Sequence, residues 1–311
     1  MRSLSYFTSH KFLMRIQHFI ERKEWEIHWG RIQMRNNARK LLSALCNSQS
    51  KDARLCLPIH FLTGKKYWYQ TLFCIFSLQN HITRPIKPII YDDGTFDHNL
   101  LQLFNDVLPL VVFKAYSELF SDFESNLPPN RYPTLHLCWH HYPHIRKLIC
   151  PHLGSQGWKL MIDSDILFYR KPSLLIEQID NPKVCLFGMD SSNYYGYPIS
   201  TLEKIAQNSI PNQINVGICG INSSDLDWDF IEYAIKQLYA THGHSYYLEQ
   251  ALIAIHAARY PYRLAPANEY VTNPSLPEAI NCTAICHHYT SESKIYYFKY
   301  NWKKVLNFNR A

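Results

Sequence analysis

The stretch WKLMIDSDILFY, residues 158–169, decides how the rest of this sequence is interpreted. An apolar run at 160–162 ends in two carboxylates one residue apart, Asp163 and Asp165, and a second apolar run follows at once. The first run predicts a buried parallel strand with the aspartates at its carboxyl end. Ligands of open α/β sheets bind just beyond the carboxyl ends of the strands, so this pair is a candidate ligand site. Hard carboxylate oxygens suit Mg²⁺ or Mn²⁺, which share their remaining positions with water and substrate phosphates.

An Asp-x-Asp triplet alone is more often an ordinary turn than a ligand site, because turns after strands favour Asp and Ser. The strand on either side of Asp163 and Asp165, together with further polar residues later in the chain, favours the ligand site.

The composition indicates a folded protein with an affinity for anions. The chain has 311 residues, enough for one large domain or two small ones, and its 47% hydrophobic and 18% charged residues exclude a disordered chain. A net charge of +7 suits anionic ligands, nucleotides or a membrane surface. We expect neither a transmembrane helix nor a secretory signal. The 9 cysteines are scattered without a C-x-x-C pair, which predicts reduced thiols in a cytoplasmic protein.

Residues 1–50 differ from the rest because basic residues alternate with apolar residues at helical spacing. We expect a basic amphipathic extension of one or two helices. It either packs on the main domain, the favoured interpretation, or lies on a membrane surface or a partner protein. The basic residues that alternate with apolar ones are Lys11, Arg15, Arg22, Lys23, Arg31, Arg35, Arg39 and Lys40.

After this extension, strands alternate with helices. Strands are predicted at 55–62, 88–91 and 110–113, and helices at 67–80, 99–108 and 115–126. Asp92 and Asp93 end the second strand, where they can accept hydrogen bonds from a ribose or base, or form a tight Asp-Gly turn. The histidine-rich segment 135–153 does not have metal-ligand spacing. It predicts a helix that carries basic side chains, Arg146 and Lys147, toward a nucleotide.

The second half supplies further candidate residues. A strand at 213–222 contains Asn215 and Gly217, and glycine in a strand indicates a close approach of the backbone to another group. Glu249 and Gln250 lie in the first turn of a predicted helix, where they face a cleft or simply suit the helix dipole. The aromatic loop 194–198 is either a platform for an acceptor sugar or a packed loop. A last strand at 284–287 precedes His288, a candidate nitrogen ligand, and Lys294, a candidate phosphate partner.

In this order, these features resemble nucleotide-sugar glycosyltransferases of the GT-A fold, and most of all the retaining, family 8-like members. The resemblance covers roughly residues 55–300. It implies a mixed, mostly parallel Rossmann-like sheet flanked by helices, with a helical extension at 1–50 and a GT-A catalytic domain at 51–311.

The resemblance also implies roles for individual residues. Asp163, Asp165 and His288, with His287 as the alternative, would bind Mn²⁺ or Mg²⁺ on the donor diphosphate. The donor itself would contact Asn215 and Gly217, and Lys294 would neutralise its phosphates, with Asp92 and Asp93 beside the nucleoside. Glu249 and Gln250 match the family's catalytic Asp-Gln pair with Glu in place of Asp. The Gly and the Pro-Trp of the family's C-terminal His-x-x-Gly-x-x-Lys-Pro-Trp loop are missing.

The implied reaction moves a sugar from a nucleotide-diphosphate sugar, with a UDP-sugar favoured, to an acceptor hydroxyl with retention. Inversion would instead require a general base, Glu249 or the less favoured Asp190. A nucleotidyltransferase or another metal-dependent phosphoryl-transfer enzyme is the enzymatic alternative, although Gly64 alone is poor evidence for a phosphate loop. A nucleic-acid-binding module is the non-enzymatic alternative, but the positive charge forms no recognisable nucleic-acid motif.

Overall fold

The computed structural model describes residues 23–38, 41, 56–108 and 110–307. Its largest element is a seven-stranded sheet with the order β3-β2-β1-β4-β7-β6-β8. The strands are β1 (Leu57–Thr63), β2 (Ile86–Asp92), β3 (Val112–Lys114), β4 (Trp158–Ile162), β6 (Cys185–Met189), β7 (Ile214–Asn222) and β8 (Tyr262–Leu264).

All neighbouring strands of this sheet are parallel except those that flank β7. Strand β1 pairs in parallel with both β2 and β4, and β6 pairs in parallel with β8. Strand β7 runs antiparallel to β4 and to β6. Helices cover both faces, so the predicted mixed, mostly parallel α/β sheet is confirmed.

A second sheet of three short strands lies beside the first, in the order β5-β10-β9. These strands are β5 (Ile166–Phe168), β9 (Tyr270–Thr272) and β10 (Cys286–His288). Antiparallel pairing places His288 opposite Ile166, the residue that follows Asp165. The second sheet therefore brings the C-terminal histidine to the end of β4.

The helices connect these strands and cover the two faces of the large sheet. They are α1 (23–38), α2 (Trp68–Gln79), α3 (His98–Val107), α4 (Tyr116–Asn126), α5 (Pro133–His141), α6 (Arg146–His152), α7 (Ser173–Asp180), α8 (Ile199–Ala206), α9 (Trp228–His242), α10 (Leu248–Arg259), α11 (Leu276–Asn281), α12 (Lys294–Tyr296) and α13 (Trp302–Asn307). A π-helical turn, Tyr297–Asn301, joins the last two.

The single helix expected at 135–153 is two helices. Helix α5 ends before Tyr142, and a 3₁₀ turn, Pro143–Ile145, precedes α6. Proline has no backbone N–H and disfavours helical backbone in the residue before it, so the break falls at Tyr142. The break turns Tyr142 inward, where it is buried.

Two apolar clusters stabilise the fold. One contains β1, α2 and the C-terminal segment, including Phe61, Phe73 and Phe298. The other contains α5, α9 and α10, including Trp139 and Leu252. Strand β7 is buried on both faces at residues 214–221, so its sequence, apart from Asn215, is apolar rather than alternating.

Helix α1 packs on the body of the protein through Met34 and Ala38, which are buried in the first cluster. This agrees with the packing interpretation for residues 23–38. Most of the predicted extension at 1–50, and the basic residues Lys11, Arg15, Arg22, Arg39 and Lys40 within it, lie outside the described residues. The boundary at residue 50 stays a prediction. No helix in the described part of the chain has the length and apolar character needed to cross a membrane.

Candidate functional site

Three potential metal ligands meet at the carboxyl end of β4. One ligand atom each of Asp163, Asp165 and His288 lies within 4.8 Å of the others. The Nε2 atom of His288 is 3.2 Å from Oδ1 of Asp165 and 3.7 Å from Oδ2 of Asp163. Two carboxylates and an imidazole form the donor set of a hard divalent cation such as Mn²⁺.

The backbone explains why these three side chains converge. The carboxylates follow β4 directly, and the N–H of Asp163 donates to the carbonyl of Gly217 on the neighbouring β7 at 2.8 Å. The N–H of Tyr289, the residue after His288, donates to the carbonyl of Asp165 at 3.0 Å. Backbone hydrogen bonds therefore fix both acids relative to β7 and β10.

The alternation of side chains along β10 separates the two adjacent histidines. His288 faces the aspartates, whereas His287 points to the opposite side. There its Nε2 lies 2.8 Å from Glu278 and its Nδ1 lies 3.0 Å from the hydroxyl of Tyr289. His288 is therefore the histidine of the cluster.

Asn215 sets the orientation of the His288 ring. Its Oδ1 accepts the N–H of Gly217 at 2.9 Å, which identifies this atom as the amide oxygen, and it lies 3.0 Å from Nδ1 of His288. The imidazole Nδ1 must therefore donate, and Nε2 is left to face the aspartates. The amide nitrogen of Asn215 donates to Oδ2 of Asp190 at 3.0 Å, which fixes the far end of the side chain.

Gly217 is needed because the His288 ring lies directly against it. A Cβ atom at position 217 would be 2.3 Å from Cε1 of His288. This is the close backbone approach that the glycine in this strand predicts.

Two lysines hold the outer oxygens of the carboxylates. Lys147 lies 2.7 Å from Oδ1 of Asp163, and Lys294 lies 3.6 Å from Oδ2 of Asp165. The inner oxygens, Oδ2 of Asp163 and Oδ1 of Asp165, face His288. Each acid thus has one oxygen oriented by a lysine and the other directed into the cluster.

The charges of this cluster shift its pKa values in opposite directions. Burial acts to raise the pKa of Asp165, but the charges of His288 and Lys294 outweigh it and lower this pKa to about 2. Burial acts to lower the pKa of His288, but the charges of Asp165 and Asp163 outweigh it and raise this pKa. These opposite shifts show that Asp165 and His288 stabilise each other's charged forms.

Glu249 and Gln250 lie at the start of α10, beside this cluster. Glu249 is buried, and its Oε1 lies 3.2 Å from Nζ of Lys147. Burial raises the pKa of Glu249 to about 7, although the charge of Lys147 opposes this shift. Lys147 itself is buried, but Asp163 and Glu249 more than offset this and raise its pKa. Lys147 therefore stays charged, and Glu249 is the member of the pair that titrates near neutral pH.

Gln250 differs from Glu249 because its amide group is not engaged. The side chain is buried at 7% exposure and lines the cleft, and its Nε2 atom has no hydrogen-bond partner. A buried amide without a partner is costly, so this group is available to a ligand.

The structure separates Asp92 from Asp93. Oδ1 of Asp92 accepts hydrogen bonds from the N–H groups of Gly94, Thr95 and Phe96, which builds the turn after β2. Asp93 lines the cleft, and its Oδ1 accepts from the hydroxyl and the N–H of Thr95.

Of the predicted site residues, all except Asp92 and the alternative ligand His287 line one cleft of about 2590 Å³, a volume that includes open solvent at its mouth. One wall carries three tyrosines, Tyr194, Tyr246 and Tyr247, with Tyr194 stacked on Tyr247 at 6.0 Å. The other tyrosines of the 194–198 loop are buried, and the hydroxyl of Tyr195 donates to the carbonyl of Pro211. The aromatic loop is therefore partly a packed loop and partly a cleft wall.

Sequence reasoning missed several cleft residues. It expected Arg146 and Lys147 to be a pair of basic side chains near a nucleotide. Only Lys147 reaches the cluster, because Arg146 is buried and donates to the carbonyls of Asp93 and Trp139. Arg35 and Tyr67 also line the cleft. Arg35 was named among the basic residues of the extension, but its spacing there carries no signal that links it to the cleft.

The site fits a divalent cation. The lysines orient the outer oxygens, Asn215 fixes the histidine tautomer, and the inner oxygens and Nε2 are directed toward one point. Supporting residues that orient metal ligands in this way are typical of metal sites.

Comparisons with known proteins agree on the fold. No protein-family model and no curated protein matches the sequence. Among solved structures, the chain is similar to mouse xyloside xylosyltransferase 1, with a TM-score of 0.53 and 8% identity over 75% of this chain and 97% of that one. It is similar to the galactosyltransferase LgtC in complex with donor and acceptor sugar analogues, with a TM-score of 0.53 and 13% identity over 81% and 95% of the two chains.

The bifunctional glycosyltransferase WbbM has a TM-score of 0.51 and 11% identity, over 85% of this chain. The match spans 53% of the WbbM chain, about half of its length. These neighbours are glycosyltransferases, and the chain has the GT-A glycosyltransferase fold that its sequence predicts.

Proposed function

We propose that the protein is a metal-dependent glycosyltransferase that moves a sugar from a nucleotide-diphosphate sugar, with a UDP-sugar favoured, to an acceptor hydroxyl. The observation that carries this proposal is the convergence of Asp163, Asp165 and His288 within 4.8 Å at the end of β4, in a GT-A fold. The three residues would hold Mn²⁺ or Mg²⁺, which when bound supplies Lewis-acid stabilisation of the departing diphosphate.

Charged side chains of the chain assist the departure of the diphosphate. Lys294, 39% exposed at its side chain and 3.6 Å from Asp165, would place a fixed positive charge beside the phosphate oxygens. Lys147 pairs with Asp163 and orients its carboxylate from inside the protein. Asn215 and Gly217 hold His288 in place, and Asp93 would accept hydrogen bonds from the nucleoside.

Gln250 is the group that best fits a position beside the reacting carbon of the sugar. Its side chain lines the cleft and its Nε2 atom has no hydrogen-bond partner, whereas Glu249 is paired with Lys147. Among the neighbours, a structure of LgtC with a TM-score of 0.51 is that of an active-site Gln-to-Glu mutant. A glutamine at this place fits transfer with retention, in which the carbonyl oxygen of the amide stabilises positive charge on the sugar. Under inversion, Glu249 or Asp190 would have to act as the base toward the acceptor.

The tyrosine wall fits an acceptor that presents an apolar face, such as a saccharide. Tyr194, Tyr246 and Tyr247 are exposed at 43%, 65% and 38%, in the cleft that also contains Gln250. Exposed aromatic rings in a cleft bind the flat faces of ligands.

Peripheral contact of the cytoplasmic protein with the inner face of a membrane is a further part of the proposal. Helix α1 presents Trp25 and Trp29, exposed at 63% and 49% and stacked at 6.2 Å, and the sequence before it is basic. Tryptophan beside basic residues suits an anionic membrane interface. Cosedimentation with anionic liposomes should fall when both tryptophans are replaced by alanine, and unchanged binding would remove this part of the proposal.

A thermal-shift screen tests the transferase proposal. We expect UDP-sugars or GDP-sugars to raise the melting temperature in the presence of Mn²⁺ and not in the presence of EDTA. Stabilisation by nucleoside triphosphates without any response to sugar nucleotides would favour the phosphoryl-transfer alternative. Stabilisation by oligonucleotides alone would favour a nucleic-acid-binding module.

A further inference from the structure

Helix α1 contributes one side chain to the cleft, although it lies outside the part of the chain that resembles GT-A enzymes. Arg35 is exposed and lines the same cleft as Asp165 and Lys294. Its guanidinium lies 5.5 Å above the ring of Tyr69, which is buried at the start of α2. Stacking on a fixed ring restricts the guanidinium, so Arg35 is partly preorganised.

Helix α1 also packs on the segment 292–299, which contains Lys294. Gly30 touches this segment so closely that a Cβ atom would lie 2.2 Å from the carbonyl oxygen of Phe298. Glu26 accepts from Lys299 at 2.9 Å. Lys23 lies 3.2 Å from Glu292, two residues before Lys294. The C-terminal loop here lacks the Gly and the Pro-Trp that the family has, and α1 is the element that supports it.

The balance of charge in the cleft separates Arg35 and Lys66 from the other basic residues. Three of the cleft's basic residues are neutralised by carboxylates, since Lys147 pairs with Asp163, Lys294 with Asp165 and Lys65 with Asp97. Within residues 23–38, 41, 56–108 and 110–307, Arg35 and Lys66 have no carboxylate partner. Both lie over aromatic rings instead, Arg35 over Tyr69 and Lys66 over Tyr67. An unneutralised guanidinium in a cleft is suited to an oxyanion, and its planar donors match phosphate oxygens.

We propose that Arg35 is a donor-binding residue that contacts the diphosphate of the nucleotide sugar, so that α1 forms part of the donor site. This inference rests on the proposed glycosyltransferase function, because it takes the donor to be a nucleoside diphosphate. It assigns α1 a role in substrate binding in addition to its structural packing.

Calorimetric titration of the full chain with UDP and with uridine, in the presence of Mg²⁺, tests the inference. GDP and guanosine serve as a second pair of probes. We expect Arg35→Ala to weaken UDP binding about tenfold, as the loss of one charge-assisted contact implies, and to change uridine binding by less than about twofold. Arg35→Lys should recover part of the UDP affinity. The matched control is Asn36→Ala, an exposed neighbour on the same helix that does not line the cleft.

A second variant tests whether the packing of α1 against Phe298 affects donor binding, and it leaves Arg35 unchanged. Gly30→Ala should lower the melting temperature and also weaken UDP binding more than uridine binding, because the added methyl group moves α1 away from Phe298. Equal UDP affinity of wild type and Arg35→Ala would overturn the inference, and so would an equal loss of UDP and uridine. If the wild type binds neither UDP nor GDP, both the proposed function and this inference fail. That result differs from one in which the wild type binds UDP and Arg35→Ala binds it equally well, which overturns the inference alone.

Discussion

Burial has opposite outcomes for the pKa of the histidine in the candidate site and for the pKa values of two histidines outside it. His288 lies between Asp163 and Asp165, and these charges raise its pKa despite burial. His60 and His152 lie elsewhere in the body, where burial lowers the pKa of each to about 3, with a smaller contribution from the positive charge of Lys159. Each of these two bonds a neutral hydroxyl, His60 that of Tyr91 at 2.8 Å and His152 that of Ser223 at 2.9 Å.

This contrast shows that histidine content alone does not locate a functional site. The crowded segment 135–153 supplies none of the three residues of the cluster, whereas one histidine after a short strand supplies its imidazole. What distinguishes His288 is the carboxylates that the sheet places beside it.

The largest expected effect comes from removing one acid from the cluster. Asp165→Ala should lower metal-dependent turnover by about a thousandfold while the fold survives, at the upper end of the 10²–10³ that one group stabilising charge in the transition state contributes. Steady-state rates with Mn²⁺ check this, with circular dichroism to verify folding. Asp229→Ala, at an exposed aspartate paired with Arg131, is the matched control. Near-normal transfer or donor hydrolysis by the Asp165 variant would count decisively against the site.

A smaller but still large effect should follow from filling the space against which His288 packs. Gly217→Ala places a methyl group 2.3 Å from Cε1 of His288, so the ring must move away from the aspartates. We expect about a hundredfold loss of activity, in the range found for residues that orient metal ligands. Gly220→Ala in the same strand is the control, because its nearest contacts are 3.3 Å away, at Gln178 and Leu186, and none of them is His288. If the two variants have equal activity, the tight packing of His288 is irrelevant to function.

A third prediction concerns Glu249, the carboxyl group that pairs with Lys147. Because the pKa of Glu249 is raised to about 7, its carboxyl ionises as the pH rises through neutrality while Lys147 stays charged. The rate profile of the wild type should therefore bend near pH 7, and that of Glu249→Gln should be flat there. We expect about a tenfold change in rate, as for loss of one charge-assisted interaction. Superimposable profiles would show that Glu249 does not influence the reaction.

The smallest effect should come from the two histidines outside the site and concerns stability. Because the folded pKa of His60 is below the unfolded value, the unfolded chain binds more protons, so stability is complete above pH 6.5 and falls as the pH is lowered. Each such histidine should remove about 1.4 kcal/mol per pH unit below this value. Urea unfolding of wild type and His60→Gln at pH 7.0 and 5.5 measures this slope, and the variant should lose less stability. An identical loss would mean that His60 is not held neutral.

Much of the architecture could be predicted from local pattern. The strand before Asp163 and the glycine strand containing Gly217 both have apolar runs that only a buried strand explains, and the predicted sheet is confirmed. The prediction of one helix at 135–153 was wrong at Tyr142, although Pro143, which signals a break in the helix, is visible in the sequence. Helix α8 and helix α11 were not predicted, because with eight and six residues they are shorter than the segments over which helical periodicity is recognised.

The candidate site could be predicted as a set of residue types but not as a geometry. The separation of His287 from His288 depends on strand β10 pairing with β5, which lies over a hundred residues earlier in the chain. The pairing of Lys147 with both Asp163 and Glu249, and the place of Arg35 in the cleft, depend on helix packing across the fold. Such contacts follow from tertiary structure and leave no periodic signal in the sequence.

Anomalous diffraction from crystals soaked with Mn²⁺ and UDP tests the central claim most directly. We predict a manganese peak bonded by Oδ2 of Asp163, Oδ1 of Asp165 and Nε2 of His288, with the nucleotide diphosphate on its open side. A nucleotide bound in the cleft with no manganese peak, and with both aspartates still paired only with Lys147 and Lys294, would contradict it.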